Sequence, residues 1–291
     1  MRDLVGYGPN DSNFTWPNNA KLAINFVINY EEGSELSPIL GDAQAESLGA
    51  DFPFISQTKG KRNLSIESFY EYGSRVGIWR LIRLFDHYKI PITFFVTGHA
   101  LVLNPLFSEY LAQHHHEVAG HGWRWINYSN IPRNIEKKHV LLCIETIEKL
   151  TGHKARGWYT GRKSEHTREI LLEIGNFIYD SDSYADELPY YIDNHLIIPY
   201  SLDCNDFRFA ITPGFSDSNA FYNCLINTFE YLYQEKRLAM MTIGLHPRLS
   251  GKPDRCLILR KFLEYLLKFQ DIWITRRIDI AQYWFRINPP T

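Results

Sequence analysis

Cysteine is scarce and unpatterned in this sequence. The four cysteines, Cys143, Cys204, Cys224 and Cys256, form no C-x-x-C pair, which argues against a zinc knuckle or a thioredoxin-like dithiol. Long apolar runs are missing too. No stretch of 18 uncharged apolar residues occurs, so no transmembrane helix is expected. The first ten residues, MRDLVGYGPN, hold no apolar signal core. Neither sign of charge dominates: Lys and Arg number 31 against 33 Asp and Glu, a formal net charge of −2. No Lys/Arg-rich run offers itself to nucleic acid or to a membrane. These absences lead us to expect a cytoplasmic protein with reduced thiols. No repeat and no linker divides the 291 residues, so 1–291 is expected to be one domain.

Aromatic residues, by contrast, are plentiful at 15%, within an ordinary 45% apolar and 22% charged composition. They suggest a well-filled core and an aromatic-lined pocket. The chain is organised around residues 21–35, KLAINFVINYEEGSE. Leu22 to Ile28 is a short apolar run with β-branched members and reads as a buried strand. It ends in Tyr30, Glu31, Glu32 and Gly33. Adjacent carboxylates push each other's pKa upward, which is one way to make a general acid or base for neutral pH. Taken alone, the pair reads as a solvated acidic turn; the rest of the chain alters that reading.

Residues 1–20 read as an irregular arm packed on the body, and 36–64 as a long loop serving as a lid or an oligomer contact. Ser65–His87 has helical periodicity, with Ser68-Phe-Tyr-Glu71 resembling a capping box. Strands are expected at 92–97, 117–120, 155–159, 177–180, 196–200, 238–245 and 272–275, with helices between most of them. Three histidines, 114–116, read as a solvated helix end, since they cannot all face one point. Strand, polar cluster and helix thus alternate seven or eight times, which argues an α/β fold with a parallel sheet, curled into a distorted seven- or eight-stranded (β/α) barrel. In such a barrel the site lies where the strands' C-terminal ends meet. The clusters at 30–35, 121–125, 156–162, 180–186, 203–208 and 246–248 all fall there.

In this order the clusters resemble the polysaccharide deacetylase superfamily, whose members share the domain of the nodulation chitooligosaccharide deacetylases. The resemblance runs from about Trp16 to Trp284. It implies that Glu31 stands for the general base and Glu32 for a metal-binding acid. It further implies that His121 is a metal ligand, that Arg156 orients the base, and that His246 is the general acid. Two positions depart from the pattern: Glu32 replaces an aspartate, and Trp125 stands where the second metal histidine belongs. Only Glu32 and His121 then remain from the usual three ligands, so no cofactor is expected, although zinc or another divalent metal would use those two. The sequence is most similar to the cofactor-independent allantoinase branch. The strings that carry this are Asn29-Tyr-Glu-Glu-Gly-Ser-Glu35, residues 121–128, Gly157-Trp-Tyr-Thr-Gly-Arg162, 180–189 and 205–209.

Amide hydrolysis needs an activated water, a stabilised oxyanion and a protonated leaving nitrogen. On this reading Glu31 or Glu32 takes the proton from water and His246 protonates the nitrogen or stabilises the oxyanion. Arg156 orients Glu31. Glu35, His121, Trp125, Trp158, Tyr159, Arg162 and Asp182 bind a small, flat, hydrogen-bond-rich ring. Alternative readings are a metal-dependent N-deacetylase of an amino sugar or peptidoglycan fragment, and a catalytically silent relative that only binds such a molecule. The family resemblance also implies a homo-oligomer, a tetramer.

Overall fold

The computed structural model describes residues 2–8, 14–51 and 59–290. The first strand, β1 (Leu22–Tyr30), is wholly buried and lies inside the sheet. It pairs in parallel with β8 (Ala239–Leu245) along one side. On its other side it pairs with β9 (Ile272–Ile274) near its start and with β2 (Ile92–Val96) near its end. The parallel sheet continues through β3 (Glu117–Gly120), β4 (Gly157–Trp158), β5 (Tyr179–Asp180) and β7 (His195–Ile197). A short strand β6 (Tyr190–Ile192) pairs antiparallel with β7 at the edge. The reading from periodicity passes over β6. Its turn, Asp193-Asn194, has positive φ at both residues (48° and 63°), the geometry that suits a two-residue hairpin.

The sheet curls into a half-barrel that, among the described residues, does not close by strand pairing. Irregular segments fill the seam beside β8: Met240 N–H donates to Glu187 O, and Gly244 N–H to Cys204 O. A buried arginine ties the seam from within. Arg277 donates to Asn25 Oδ1 on β1, Thr242 Oγ1 on β8, Ser181 Oγ and Pro199 O. It starts α10 (Arg277–Ile287). The other helices are α1 (Leu64–Tyr72), α2 (Ile78–Tyr88), α3 (Gly98–Leu103), α4 (Pro105–Gln113), α5 (Arg133–Thr151), α6 (Thr167–Ile174), α7 (Ser218–Gln234), α8 (Pro247–Ser250) and α9 (Pro253–Leu266).

Side chains alternate across a strand, and on β1 the alternation decides the site. Leu22, Ile24, Phe26, Ile28 and Tyr30 join the large core under the helices. Val27 faces the barrel interior with Phe95, Ala119, Tyr159 and Tyr200, and Asn25 and Asn29 reach interior partners. Glu31 therefore continues the inward series and Glu32 the outward one.

Two local expectations, the helix cap and the solvated histidines, are corrected. The cap of α1 is Asn63, which accepts from Ile66 N–H, while Ser68 lies within the helix and donates to Ser65 O. The 65–87 stretch is helical as expected, and passes through a π-turn at Gly73–Gly77, pressed so closely that a Cβ on Gly73 would meet Glu32 Oε1 at 2.4 Å. His116 is not solvated: it is buried, accepts from Ile92 N–H and bonds to Tyr110. In the described part of the N-terminal segment, Tyr7, Phe14 and Trp16 lie around Trp284. Of the long loop, Phe52, Phe54 and Ile55 lie outside the described residues.

Candidate active site

Glu31 sits at the C-terminal end of β1, only 1% exposed. Its Oε1 lies 3.0 Å from His121 Nε2 and 3.5 Å from His246 Nε2, and its Oε2 accepts from Arg248 Nη2 at 2.7 Å. Burial alone would raise its pKa. The charges of Arg248 and His246 and the His121 contact instead hold it well below the ordinary carboxylate value. Glu32 turns the other way. Its Oε2 accepts from Glu31 N–H at 2.9 Å and its Oε1 is 3.4 Å from Arg248 Nη1. Burial, with the neighbouring Glu31 charge, leaves its pKa raised despite Arg248.

The two histidines are fixed from behind. His121 follows β3 and gives its Nδ1 proton to the Tyr159 carbonyl, which can only accept. The contact between Nε2 and Glu31 therefore needs a second proton, shared between imidazole and carboxylate. His246 follows β8. Its Nδ1 is 2.6 Å from Asp206 Oδ1, while Asp206 Oδ2 accepts from the backbone N–H of His246 and Ser250. Burial would lower the His246 pKa, but Glu31 and Asp206 push it up to about 9, so the ring is a cation at neutral pH.

Arg248 is the group that motif reading missed. It is fully buried on the one-turn helix α8 and joins both carboxylates. Its Nε donates to Gly49 O, and its guanidinium lies over the Tyr70 ring at 4.2 Å. Gly49 has φ +81° and a Cβ there would fall 2.8 Å from Arg248 Nη2, so glycine is required. The only sequence signal was the string His246-Pro247-Arg248 at a strand end.

Trp125 forms one wall, with Phe207 beside it and beside His246. The Arg162 guanidinium stacks on Trp125 at 3.5 Å and pairs with Glu46 at 3.0 Å. Among the described residues its Nη2 is buried without a hydrogen-bond partner. Tyr159 stacks on His121 and bonds to Tyr184. Glu35 is nearly buried and accepts from Gly33 N–H; burial raises its pKa to about 7 against the pull of backbone N–H groups and Arg248. Glu32 and Glu35 border a cavity of about 420 Å³ with Tyr70, His99 and Leu103, which Glu31, His121 and His246 do not line.

Three expected residues stand apart. Arg156 is exposed and donates to Asn176 O, so Arg248, not Arg156, is the arginine at Glu31. Trp158 points outward into the core, packed over Gly120 and against Phe177. Asp182 has both oxygens engaged by Thr160 and Gly161 N–H, shaping the turn from which Arg162 departs.

The metal that the resemblance implies does not fit these donors. Trp125 offers no lone pair, both Glu31 and Glu32 are turned to a guanidinium, and both nitrogens of His121 are engaged. A dication among them would be repelled by Arg248 and His246 at close range.

Comparison with known proteins agrees with the fold. The polysaccharide deacetylase profile matches residues 59–177. A putative polysaccharide deacetylase of Schizosaccharomyces pombe is 37% identical over 99% of this chain and 98% of its own. The crystal structure of PuuE allantoinase superposes with a TM-score of 0.96 at 41% identity, covering 100% of this chain and 99% of that one. A probable polysaccharide deacetylase from Pseudomonas aeruginosa PAO1 matches with the same score, identity and coverage. Together the half-barrel and these relatives define a hydrolase acting on carbon–nitrogen bonds. The chain belongs to the polysaccharide deacetylase family.

Proposed function

We propose that this protein opens a small cyclic amide of the hydantoin type, allantoin to allantoate, with no metal in the reaction. The observation that carries this reading is Arg248 lying between Glu31 and Glu32, where a deacetylase would need a vacant ligand set. The likeness to PuuE allantoinase over the whole chain supports it.

In the resting site Glu31 is too well solvated by donors to be a strong base. A ring carbonyl that takes a proton contact from His121 removes one of those donors and raises the proton affinity of Glu31. Glu31 then accepts the proton of the attacking water as oxygen adds to the carbonyl carbon. His121 and Arg248 face the developing negative charge, the electrostatic task that usually contributes most to such a step. The ring C–N bond breaks and His246, protonated at Nε2 and held by Asp206, gives its proton to the departing nitrogen. The Nη2 of Arg162, without a hydrogen-bond partner among the described residues, supplies a donor for a second ring or ureido oxygen, and Trp125 a flat wall. A site of paired donors and acceptors rejects rings that leave those groups unmatched.

N-deacetylation of an amino sugar is the second reading, favoured by the relationship to the fission yeast protein. Incubation with allantoin and, separately, with N-acetylglucosamine oligomers distinguishes them. The expected products are allantoate from the first and no acetate from the second; acetate release without allantoate would overturn the proposal.

A further inference from the structure

All four cysteines are free, yet two of them meet. Cys204 is buried in the segment that closes the seam, and Cys224 is half-buried on α7. Cys224 Sγ lies 3.6 Å from the carbonyl oxygen of Asp203, the residue before Cys204 in the chain, and the two thiols shift each other's ionisation. The Arg208 and Asp203 charges act on Cys224. The contact with Cys204 and the Arg208 charge bring the Cys224 thiol down to about 7, against burial. By contrast, burial pushes Cys143 up to about 12 and raises Cys256. Cys224 is therefore the sulfur with most thiolate character and access to solvent.

The pair is wired to the site. Cys204 O accepts from Gly244 N–H on β8, Asn205 bridges Gly244, and Asp206 follows with its hold on His246. We propose that Cys204 and Cys224 form a peroxide-oxidised dithiol whose disulfide displaces Asp206 from His246. The Cys224 thiolate attacks one oxygen of hydrogen peroxide; the O–O bond breaks, giving a sulfenic acid and, with one proton, water. Cys204 sulfur then attacks the sulfenic sulfur. The S–S bond forms, the S–O bond breaks, and the Cys204 proton leaves with hydroxide as a second water. Two thiols are oxidised by two electrons and one peroxide is reduced to two waters. A disulfide holds its sulfurs at about 2.05 Å, far closer than two unbonded thiols approach. Closing that gap draws Cys204 toward α7 and loads the two residues that lead to Asp206.

The test is to expose the full-length protein to hydrogen peroxide, alkylate, and map peptides without reduction. The expected result is a Cys204–Cys224 cross-link that dithiothreitol reverses, with Cys143 and Cys256 still alkylated and no cross-link in C224S. A Cys224 sulfenic acid trapped by dimedone while Cys204 stays alkylatable would overturn the proposal, as would prior oxidation of Cys256. In the cross-linked protein allantoin hydrolysis should fall on the order of 10²-fold, as for an ångström-scale displacement of a catalytic group, and recover on reduction. Full activity in the cross-linked protein would overturn the link to Asp206. Absence of turnover even when reduced would count against the substrate, and the peptide map would still decide whether the dithiol exists.

Discussion

Replacing Arg248 with Met keeps much of the side-chain volume and removes the charge that joins Glu31 to Glu32. Glu31 Oε2 then loses its 2.7 Å donor while remaining 1% exposed. Breaking a buried ion pair from one side costs about 3–5 kcal/mol. At roughly 2–4 °C per kcal/mol for a chain of this size, Tm should fall by roughly 6–20 °C. The pH dependence separates lost charge from lost packing. In the wild type, Glu31 has a depressed pKa, so its stabilisation is present above the unfolded value and is lost as pH falls through the lower folded value. In R248M burial prevails, Glu31 favours its protonated form, and acid relieves the variant. The Tm gap should be widest at about pH 7–8 and narrow toward about pH 4. R248K, which restores a charge without the two-pronged contact, should fall between them. Differential scanning fluorimetry across that range reads all three proteins. A gap that does not change with pH, or one below about 2 °C, would refute the claim that Arg248 acts by charge on the carboxylates.

Other expected outcomes follow from the same geometry. E31Q should lower kcat by about 10²–10⁴-fold, the range for a lost general base, and near wild-type turnover would remove Glu31 from the mechanism. His246 has a raised pKa, so its stabilisation is fully present below the unfolded value and lost as pH rises through about 9. The alkaline limb of kcat should lie there and move toward neutrality in D206N; an unmoved limb would detach Asp206 from the acid. Ionising Glu35 is penalised as pH rises through about 7, so E35Q should melt higher than wild type at alkaline pH and alike in acid, a difference calorimetry can measure. R162A should raise KM for allantoin more than it lowers kcat, which steady-state kinetics will show. W125H should bind no stoichiometric zinc while Arg248 remains, as elemental analysis can establish.

The strand-end logic made much of this legible from residues alone. An apolar run ending in Glu31 and Glu32, with His121 and His246 closing two later strands, pointed to one site at the C-terminal face of a parallel sheet, and in the structure Glu31 lies 3.0 Å from His121 and 3.5 Å from His246 while Glu32 turns away. What motif matching obscured was direction. Directly after β4, Tyr159 faces inward with His121, so Arg156 and Trp158, one residue to either side of Gly157, must face outward. Period-two alternation would have excluded both. Arg248 was harder, because its partner Glu31 is 217 positions away and nothing local to residues 246–248 says where a side chain on a one-turn helix will point. Likewise, the engagement of Glu46 with Arg162 and of Gly49 with Arg248 depends on how residues 36–51 drape over the site, which no periodicity encodes.

The most direct test of an arginine-held, metal-free acid–base site is allantoin hydrolysis by the purified protein before and after exhaustive chelation, with metal content measured in the same samples. Allantoate should form at an unchanged rate in metal-free protein. Activity that disappears on chelation and returns with zinc would contradict it.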